Sequence, residues 1–235
     1  YRVYGTDNGD GIFSFPFEHI LPQQLGDNIR ATLYATRLGE EESVTKETYS
    51  VREYCIYQLE NSTDARLVTL LSDMLIMGAE AQRVAGYKTD ALVTDGLTLN
   101  AASSFVSPPD SVNKLSLEGE SSGDLSWQGA GLRLENQMAL YLTFRAASVE
   151  NLNLRVTVAG REKVYTADDF IERDGCYRVY ILGIAASEFN EAIEAVFLQS
   201  GTTVGQTLSY SVNSYIYAKQ ATAEAPVQGL LRAIY

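Results

Sequence analysis

The chain has 235 residues, with 30 acidic against 18 basic side chains and a net charge of −12. That charge repels a phosphate backbone and an anionic membrane surface, which argues against a nucleic-acid-binding protein. A single histidine excludes zinc sites built from two or three His ligands, and no apolar run approaches the ~20 residues that span a bilayer. The length and a hydrophobic share of 46% indicate a folded protein with a substantial core.

The chain as far as Asn61 changes from β to helical patterns. Residues 12–20 alternate at Phe13, Phe15 and Phe17, which predicts a strand, and residues 28–37 alternate in the same way. A further strand leads to Tyr49. The period then changes at Ser50, where the S-x-x-E spacing of a capping box predicts the start of a helix.

A second helix is predicted from about Asp64 to Ala85, because apolar side chains recur there at helical spacing. Gly86 is the expected stop signal. The two helices therefore form a predicted αα-hairpin.

Residues 100–131 are rich in Ser, Gly and Pro and read as a connection that carries short strands, one of them around Trp127. From residue 132 the β pattern returns, with strands predicted at 138–144, 152–158, 177–182 and 193–198, and a last β segment that passes through Tyr210. Residues 221–229 read as a linker, and residues 230–235 as the start of a helix.

An internal repeat appears when the chain is aligned with itself so that Tyr1 falls on Tyr165. Asp10-Gly11 then falls on Asp174-Gly175, and the apolar phase of residues 13–33 matches that of residues 177–197. After a three-residue deletion, Tyr49-Ser50-Val51-x-x-Tyr54 falls on Tyr210-Ser211-Val212-x-x-Tyr215. We interpret this as a duplication rather than chance agreement between two hairpins; such repeats are typical of tandem modules.

The predicted fold is mainly β with a helical insertion (α+β), with two related β-sandwich-like lobes joined by the αα-hairpin. The predicted domains are 1–99, an N-terminally incomplete lobe with the hairpin, then the connection 100–131, then the second lobe 132–235. The chain begins with Tyr1 rather than Met, so we expect it to start inside one copy of the unit, within a longer protein.

Candidate chemistry is sparse. Residues 6–11 resemble a calcium loop, but the glutamate that such a loop needs at position 12 is replaced by Phe17, and a tight turn between strands explains them better. Four acids could supply paired carboxylates for glycoside hydrolysis, although such runs are typical of solvated faces: Asp168, Asp169, Glu172 and Asp174. His19 is read as an outward-facing residue at a strand end. No catalytic residue, metal ligand or cofactor site is predicted.

The two cysteines, Cys55 and Cys176, both lie in apolar stretches. Two buried free thiols or one disulfide are both compatible with that setting. No His or Lys lies near either one in sequence to activate it.

Three aromatic residues are candidates for a carbohydrate-binding surface, namely Trp127, Tyr141 and Tyr87. A sugar ring could stack on an exposed aromatic plane, and Asp124 lies near Trp127. The competing interpretation of Trp127 is a packing residue in the core.

The motif around the helices resembles an uncharacterised repeat module of large secreted or cell-wall-attached proteins of Gram-positive anaerobic bacteria. That family carries Y-S-V-x-x-Y, then a Leu-rich helix ending in Y-G-A-x-A-Q, then G-Y-x-T-D. The corresponding stretches here are residues 49–54, 77–82 and 86–90, with Met77 in place of the family's usual Tyr and Val84-Ala85 in place of an aromatic pair. The resemblance implies surface display and supplies no catalytic residues.

We therefore expect a non-catalytic extracellular or cell-surface module for adhesion, display or scaffolding, with a cell-wall glycan, host glycan or surface protein as partner. One alternative is a carbohydrate-binding module of a secreted multidomain protein. A glycoside hydrolase or peptidase fragment is the third reading.

Overall fold

The structure, a computed structural model, describes residues 2–37, 40–100, 115–134, 138–220 and 222–234. Strands account for 37% of the chain and helices for 29%, so the protein is mainly β with substantial helix, as predicted for the α+β class. The described part divides into two compact units, residues 2–100 with 225–234 and residues 115–224.

The secondary structure in chain order is as follows. Within the described residues the α-helices are α1 (Val51–Asn61), α2 (Ala65–Ala85), α3 (Val212–Lys219) and α4 (Ala225–Ile234). The strands of the first unit are β1 (Thr6–Asp7), β2 (Phe13–Ser14), β3 (Ile29–Arg37) and β4 (Glu40–Tyr49). The strands of the second unit are β5 (Ser116–Glu118), β6 (Leu125–Leu134), β7 (Met138–Ala146), β8 (Leu152–Val158), β9 (Arg161–Tyr165), β10 (Ile171–Arg173), β11 (Cys176–Ile181), β12 (Ile193–Gln199) and β13 (Thr202–Tyr210).

The first unit has a core formed by its helices and loops rather than by a large sheet. Its strands form two antiparallel pairs, β1 with β2 and β3 with β4. One cluster contains buried residues from α1, α2 and the loops beside them: Leu25, Cys55, Leu71, Leu75, Ala79 and Val93. Gly229 of α4 lies close to the Glu80 carboxylate of α2, and Leu231 of α4 is fully buried.

The helices begin and end where the local chemistry dictates. The Ser50 hydroxyl accepts the Glu53 backbone N–H at 3.1 Å, and the Glu53 carboxylate accepts the Ser50 N–H at 2.8 Å. This reciprocal pair satisfies two helix donors that would otherwise lack partners. Asp64 accepts the Arg66 N–H at 2.9 Å at the start of α2, and Gly86 ends that helix with a φ of 61°.

The second unit contains two antiparallel sheets. Four strands lie in the order β10-β11-β7-β6, and five in the order β5-β13-β12-β8-β9. Aromatic rings from both sheets pack together: Trp127 of β6 stacks on Phe197 of β12 with centroids 4.2 Å apart, and Phe144 of β7 meets Phe197 at 4.9 Å. Phe144 and Phe197 are almost fully buried, each contributing about 2–3 kcal/mol of transfer free energy.

Two predicted segments differ from the structure, and a third is only partly described. In the predicted connection 100–131, residues 101–114 lie outside the described part, and the strand predicted around Trp127 corresponds to β6, with β5 before it. In the predicted linker, α4 starts at Ala225. Pro226 is compatible with that helix because the first turn needs no N–H donor there. The predicted strand at 12–20 is reduced to the pair Phe13–Ser14.

The same backbone geometry occurs in both of the stretches that the sequence repeat aligns. The N-terminal stretch (residues 10–54) and the C-terminal stretch (residues 174–215) both open on an Asp-Gly turn, with φ values of 54° and 76° in the first and 54° and 72° in the second. Positive φ at both central residues is the hallmark of a type I′ hairpin turn. His19 (φ 67°) and Gly183 (φ 74°) are a further left-handed pair in the same alignment.

The correspondence continues through the next elements of both stretches. A 3₁₀ turn at Pro22–Gln24 corresponds to one at Ala186–Glu188. The Arg52 N–H donates to the Leu25 carbonyl at 2.8 Å, and the equivalent Asn213 N–H donates to Phe189 at 3.0 Å. Ser211 caps α3 as Ser50 caps α1, with Ser214 in the position of Glu53.

Candidate functional site

A pocket of roughly 390 Å³ lies in the first unit beside the C-terminal end of α2. It is lined by residues from four parts of the sequence: the loop after the first 3₁₀ turn, the first turn of α1, Gln82 near the end of α2, and the segment 88–95 that follows α2. It is the candidate site because five charged side chains line it: Asp27, Arg52, Lys88, Asp90 and Asp95.

The end of α2 determines the course of the chain into this site. Gly86 adopts the left-handed conformation, and the Tyr87 N–H donates back to the Gln82 carbonyl at 2.9 Å. This six-to-one hydrogen bond closes the last helical turn and directs the chain back along the helix end. The segment 87–100 therefore starts beside the side chain of Gln82.

The amide of Gln82 holds that segment against the helix. Its nitrogen donates to the Ala91 carbonyl at 3.2 Å and to the Lys88 carbonyl at 3.4 Å, while its oxygen accepts the Val93 N–H at 2.9 Å. The side chain is only 2% exposed, so these bonds replace those that water would make. One buried amide thus satisfies backbone groups at three positions of the segment.

Arg52 joins the segment to α1. Its Nε donates to the Val93 carbonyl at 2.9 Å and an Nη donates to the Asp95 carbonyl at 2.7 Å. The Asp95 carboxylate in turn accepts the Leu92 N–H at 2.8 Å, which forms a turn within the segment. These guanidinium donors are therefore bonded to backbone oxygens.

Asp27 is the electrostatic centre of the pocket. Its carboxylate accepts the Tyr87 hydroxyl at 2.7 Å and the Lys88 ammonium at 2.7 Å. The hydrogen bond to Asp27 raises the pKa of the Tyr87 hydroxyl above its ordinary value, and the same partner raises the pKa of Lys88. Both donors therefore keep their protons at neutral pH, and Lys88 offsets the charge of Asp27.

The side chains of the pocket wall hold the segment that follows α2. The polar groups of Gln82, Arg52 and Asp27 are engaged within the protein, and their partners are mostly backbone atoms. Hydrogen bonds of this kind fix the segment on α1 and α2. Asp90 and Asp95 also line the pocket, and the Asp95 carboxylate is bonded to the Leu92 N–H.

Tyr87 is the one predicted ligand-binding aromatic that lies beside this pocket. Its hydroxyl bonds to Asp27, and the Lys88 ammonium lies 5.4 Å from its ring centroid. The ring is therefore a structural partner of the pocket wall.

Trp127 occupies a different environment from the one that a sugar platform needs. It is 8% exposed, its ring stacks on Phe197, and its Nε1 donates to the Gln206 carbonyl at 2.8 Å. This corrects the prediction of Trp127 as a ligand-stacking residue and favours the core interpretation, because β6 turns the ring inward towards the other sheet.

Tyr141 lies on the opposite face of the same sheet. Phe144 faces Trp127 across the β6–β7 ladder, and Tyr141 is three positions from Phe144, an odd spacing that reverses the side of the sheet. The half-buried ring of Tyr141 is covered by the Arg178 guanidinium at 4.2 Å. Trp127 and Tyr141 therefore lie on opposite faces of one sheet and do not form one exposed set.

The remaining candidates lie in turns and, for Glu172, in the short strand β10. The tight-turn interpretation of residues 6–11 is confirmed: the Ile12 N–H donates to the Gly9 carbonyl at 3.0 Å, and Asp10 and Gly11 form the turn. Asp169 accepts the Thr166 N–H at 2.8 Å at the start of a 3₁₀ turn, and Asp174 sits in the second Asp-Gly turn.

The structure also gives the environments of His19 and of the two cysteines. His19 is exposed, with its Nε2 3.9 Å from the Glu18 carboxylate. Both thiols are free; Cys55 is fully buried, which raises its pKa, and Cys176 is only partly buried. The prediction of buried thiols is therefore confirmed for Cys55 alone.

Sequence reasoning missed Gln82, Arg52 and Asp27, the residues that build the pocket wall. One signal was present for Gln82: it lies four residues after Gly78 and seven after Leu75, on the apolar face of α2. A polar side chain within an apolar stripe indicates a buried group with internal partners. The bonds of Arg52 and Asp27 span 41 and 60 residues of sequence, which no local pattern reveals.

Comparison with protein-family models, with curated proteins and with solved structures finds no match for this chain. Within the described residues, no helix is long and apolar enough to cross a membrane, and no group of three or more His, Cys, Asp or Glu side chains could hold a metal ion.

Proposed function

We propose that this chain is a non-catalytic module of an extracellular or cell-wall-attached protein, with a role in adhesion, display or scaffolding. The observation that carries the proposal is the recurrence of one backbone design in two separate stretches, from the Asp-Gly turn through the 3₁₀ turn to the capped helix. Repeated units extend a molecule and multiply its surface, which suits spacing and adhesion better than catalysis.

The architecture proposed for this role is two related β-sandwich-like lobes joined by an αα-hairpin of α1 and α2, of which the first has only two strand pairs among the described residues. The packing of Trp127 on Phe197 supports a sandwich in the second unit, since those rings come from different sheets. The shared burial of Cys55 from α1 with Leu71 and Leu75 from α2 supports the hairpin.

The pocket beside α2 supports a non-catalytic role in a further way. Its most buried polar side chain, Gln82, binds only backbone groups, and the Asp27 carboxylate is neutralised by Lys88. A panel of glycan, ester and peptide substrates should therefore give no turnover. Turnover that disappears in Asp27→Asn or Asp174→Asn would contradict the proposal.

Surface location is the most direct test of the role. An antibody raised against the purified chain should label intact cells of the producing organism, and external protease should remove the signal. An antibody to a cytosolic enzyme, as the control, should label only permeabilised cells. Labelling by the first antibody that also requires permeabilisation would refute display on the surface.

A further inference from the structure

The strands of the C-terminal stretch face a closed core. Val179 and Ile181 of β11 are 0% and 3% exposed, and Phe197 of β12 is 1% exposed. These residues alternate along their strands, so they share one face of each sheet. β11 belongs to the four-stranded sheet and β12 to the five-stranded sheet, and their buried faces contribute to the same interior.

The equivalent positions in the N-terminal stretch are open to solvent. Phe15, Phe17 and Leu33, which align with those three buried residues, are 45%, 50% and 48% exposed. Leu33 lies opposite Val44, which is also exposed, in the way that Phe197 lies opposite Val204. We refer to Phe13, Phe15, Leu33 and Val44 as the open apolar set.

Tyr49 and Tyr210 show the same difference in exposure at the last position of the hairpin. Each is the final residue of its hairpin's second strand, and each pairs with the first residue of the preceding strand, Ile29 or Ile193. Tyr49 is 50% exposed, whereas Tyr210 is 5% exposed. The same backbone design is therefore closed in one stretch and open in the other.

The strands of the two stretches also differ in the number of neighbouring strands with which they form backbone hydrogen bonds. In the second unit, β11 pairs with both β10 and β7, and β12 pairs with both β13 and β8. Within the described residues, β2 pairs only with β1, and β3 pairs only with β4. The N-terminal stretch thus has two strand edges whose counterparts are bonded in the C-terminal stretch.

The strands that close the C-terminal stretch come from one continuous piece of sequence. Residues 125–165, which precede β10, supply β7 and β8 as pairing partners, together with the core rings of Trp127 and Phe144. In the C-terminal stretch, this piece buries the positions equivalent to the open apolar set and gives each strand a second neighbour, and among the described residues the N-terminal stretch has neither feature.

We propose that the open apolar set is a docking surface for a set of β-strands built like residues 115–165, joined to it from the N-terminal side. A strand occupant fits because the second edges of the two-residue β2 and of the longer β3 offer backbone donors and acceptors that a helix cannot use. The order of elements fits as well, because Tyr165 corresponds to Tyr1 in the alignment that places Asp174 on Asp10. The proposal concerns architecture and does not depend on surface location.

The test is a fusion of residues 115–164 of this chain in front of Tyr1 of the full chain. In the unfused chain, carbene or hydroxyl-radical labelling should modify Phe15, Phe17 and Leu33 readily. In the fusion, their labelling should fall several-fold, towards the level of Ile181 and Phe197.

A matched pair of substitutions tests the same proposal through stability. Phe15→Asp should leave the melting temperature of the unfused chain unchanged and lower that of the fusion, whereas Val179→Asp should lower both.

A second fusion guards against imperfect packing between the transplanted strands and the host. It carries Phe15→Val, Phe17→Ile and Leu33→Phe, which recreate the side chains of the C-terminal stretch. If neither fusion lowers the labelling of these positions, the proposal is wrong. If the labelling of the unfused chain falls as its concentration rises, the occupant is a second copy of the chain, and the proposal is equally overturned.

Discussion

At the scale of single residues, Gln82 is the side chain on which the candidate pocket most depends. It is almost completely buried, and its amide partners are three backbone groups of the segment 88–93. A buried donor or acceptor left without a partner costs about 1–3 kcal/mol of stability. That cost exceeds the net contribution of a typical intramolecular hydrogen bond, which is about 0.5–1.5 kcal/mol. The pocket wall is therefore sensitive to this one position.

Gln82→Ala should lower the free energy of unfolding of the first unit by about 2–3 kcal/mol, because the Val93 N–H and the Ala91 carbonyl lose their partner. Urea unfolding followed by circular dichroism measures this, and hydrogen exchange at Val93 should accelerate. Gln82→Glu is the matched control, since it keeps the acceptor for Val93 and loses the donor. Exchange at Val93 that is unchanged in Gln82→Ala would show that the amide does not hold the segment.

The sequence predicted individual residues correctly where a turn or a helix cap depends only on residues close by in the chain. The Asp-Gly turns and the caps at Ser50 and Gly86 depend on neighbouring residues, and the structure has them at the predicted positions. Trp127 shows the limit. Its environment depends on Phe197, which lies in a distant strand of the other sheet, so the sequence left both a binding and a packing interpretation open.

At the scale of elements, α1 and α3 are helices with equivalent starts. Ser50 and Ser211 are both buried, and each accepts a backbone N–H of the first helical turn, from Glu53 at 3.1 Å and from Ser214 at 3.0 Å. The two caps therefore contribute to different units through the same chemistry.

Ser50→Ala and Ser211→Ala should each reduce the free energy of unfolding by about 1–2 kcal/mol, at the upper end for a cap because the donor left without a partner is buried. Ser43→Ala, at an exposed position of β4, is the control and should change it by no more than about 0.5 kcal/mol. Thermal and denaturant melts of the three variants provide the comparison. A Ser211→Ala variant as stable as the Ser43→Ala control would mean that the two helix starts are not energetically equivalent.

The spacing of apolar residues along the sequence predicts which elements are helices and which are strands, and their approximate ranges. The length of a strand depends in addition on a neighbouring strand with which it can form hydrogen bonds. The prediction of a helix near 64–85 agrees with α2, and the strand predicted at 193–198 agrees with β12. The alternation at Phe13, Phe15 and Phe17 is as regular as that of β11, yet only Phe13–Ser14 is paired. A strand requires a neighbour that accepts and donates along its edge, and alternation does not supply one.

At the scale of the whole molecule, buried tyrosines make the second unit sensitive to alkali. Burial raises the pKa of Tyr210, Tyr165 and Tyr215 above the ordinary value of about 10. A raised pKa means that the unfolded chain releases these protons first as pH rises. Their contribution to stability is therefore complete below about pH 10 and is lost progressively above it, through the pKa values of the folded protein.

The melting temperature of the second unit should accordingly fall steeply above about pH 10. Tyr210→Phe removes the most strongly shifted group and should flatten that fall, while Tyr57→Phe, at an exposed position of the first unit, should not. Calorimetric scans across the alkaline range make the comparison. Identical alkaline curves for Tyr210→Phe and the unsubstituted chain would contradict the role given to Tyr210.

By itself, the sequence determined the α+β class, the main helices, the turn chemistry and the register at which two stretches correspond. These properties depend on side-chain period and on contacts within a few residues of each other. Only the tertiary structure decided that Trp127 is a core residue, that Gln82 and Arg52 hold the segment after α2, and that equivalent apolar residues are buried in one stretch and exposed in the other. Those outcomes depend on which distant strands and loops lie against a residue, and that pairing has no local signature in the sequence.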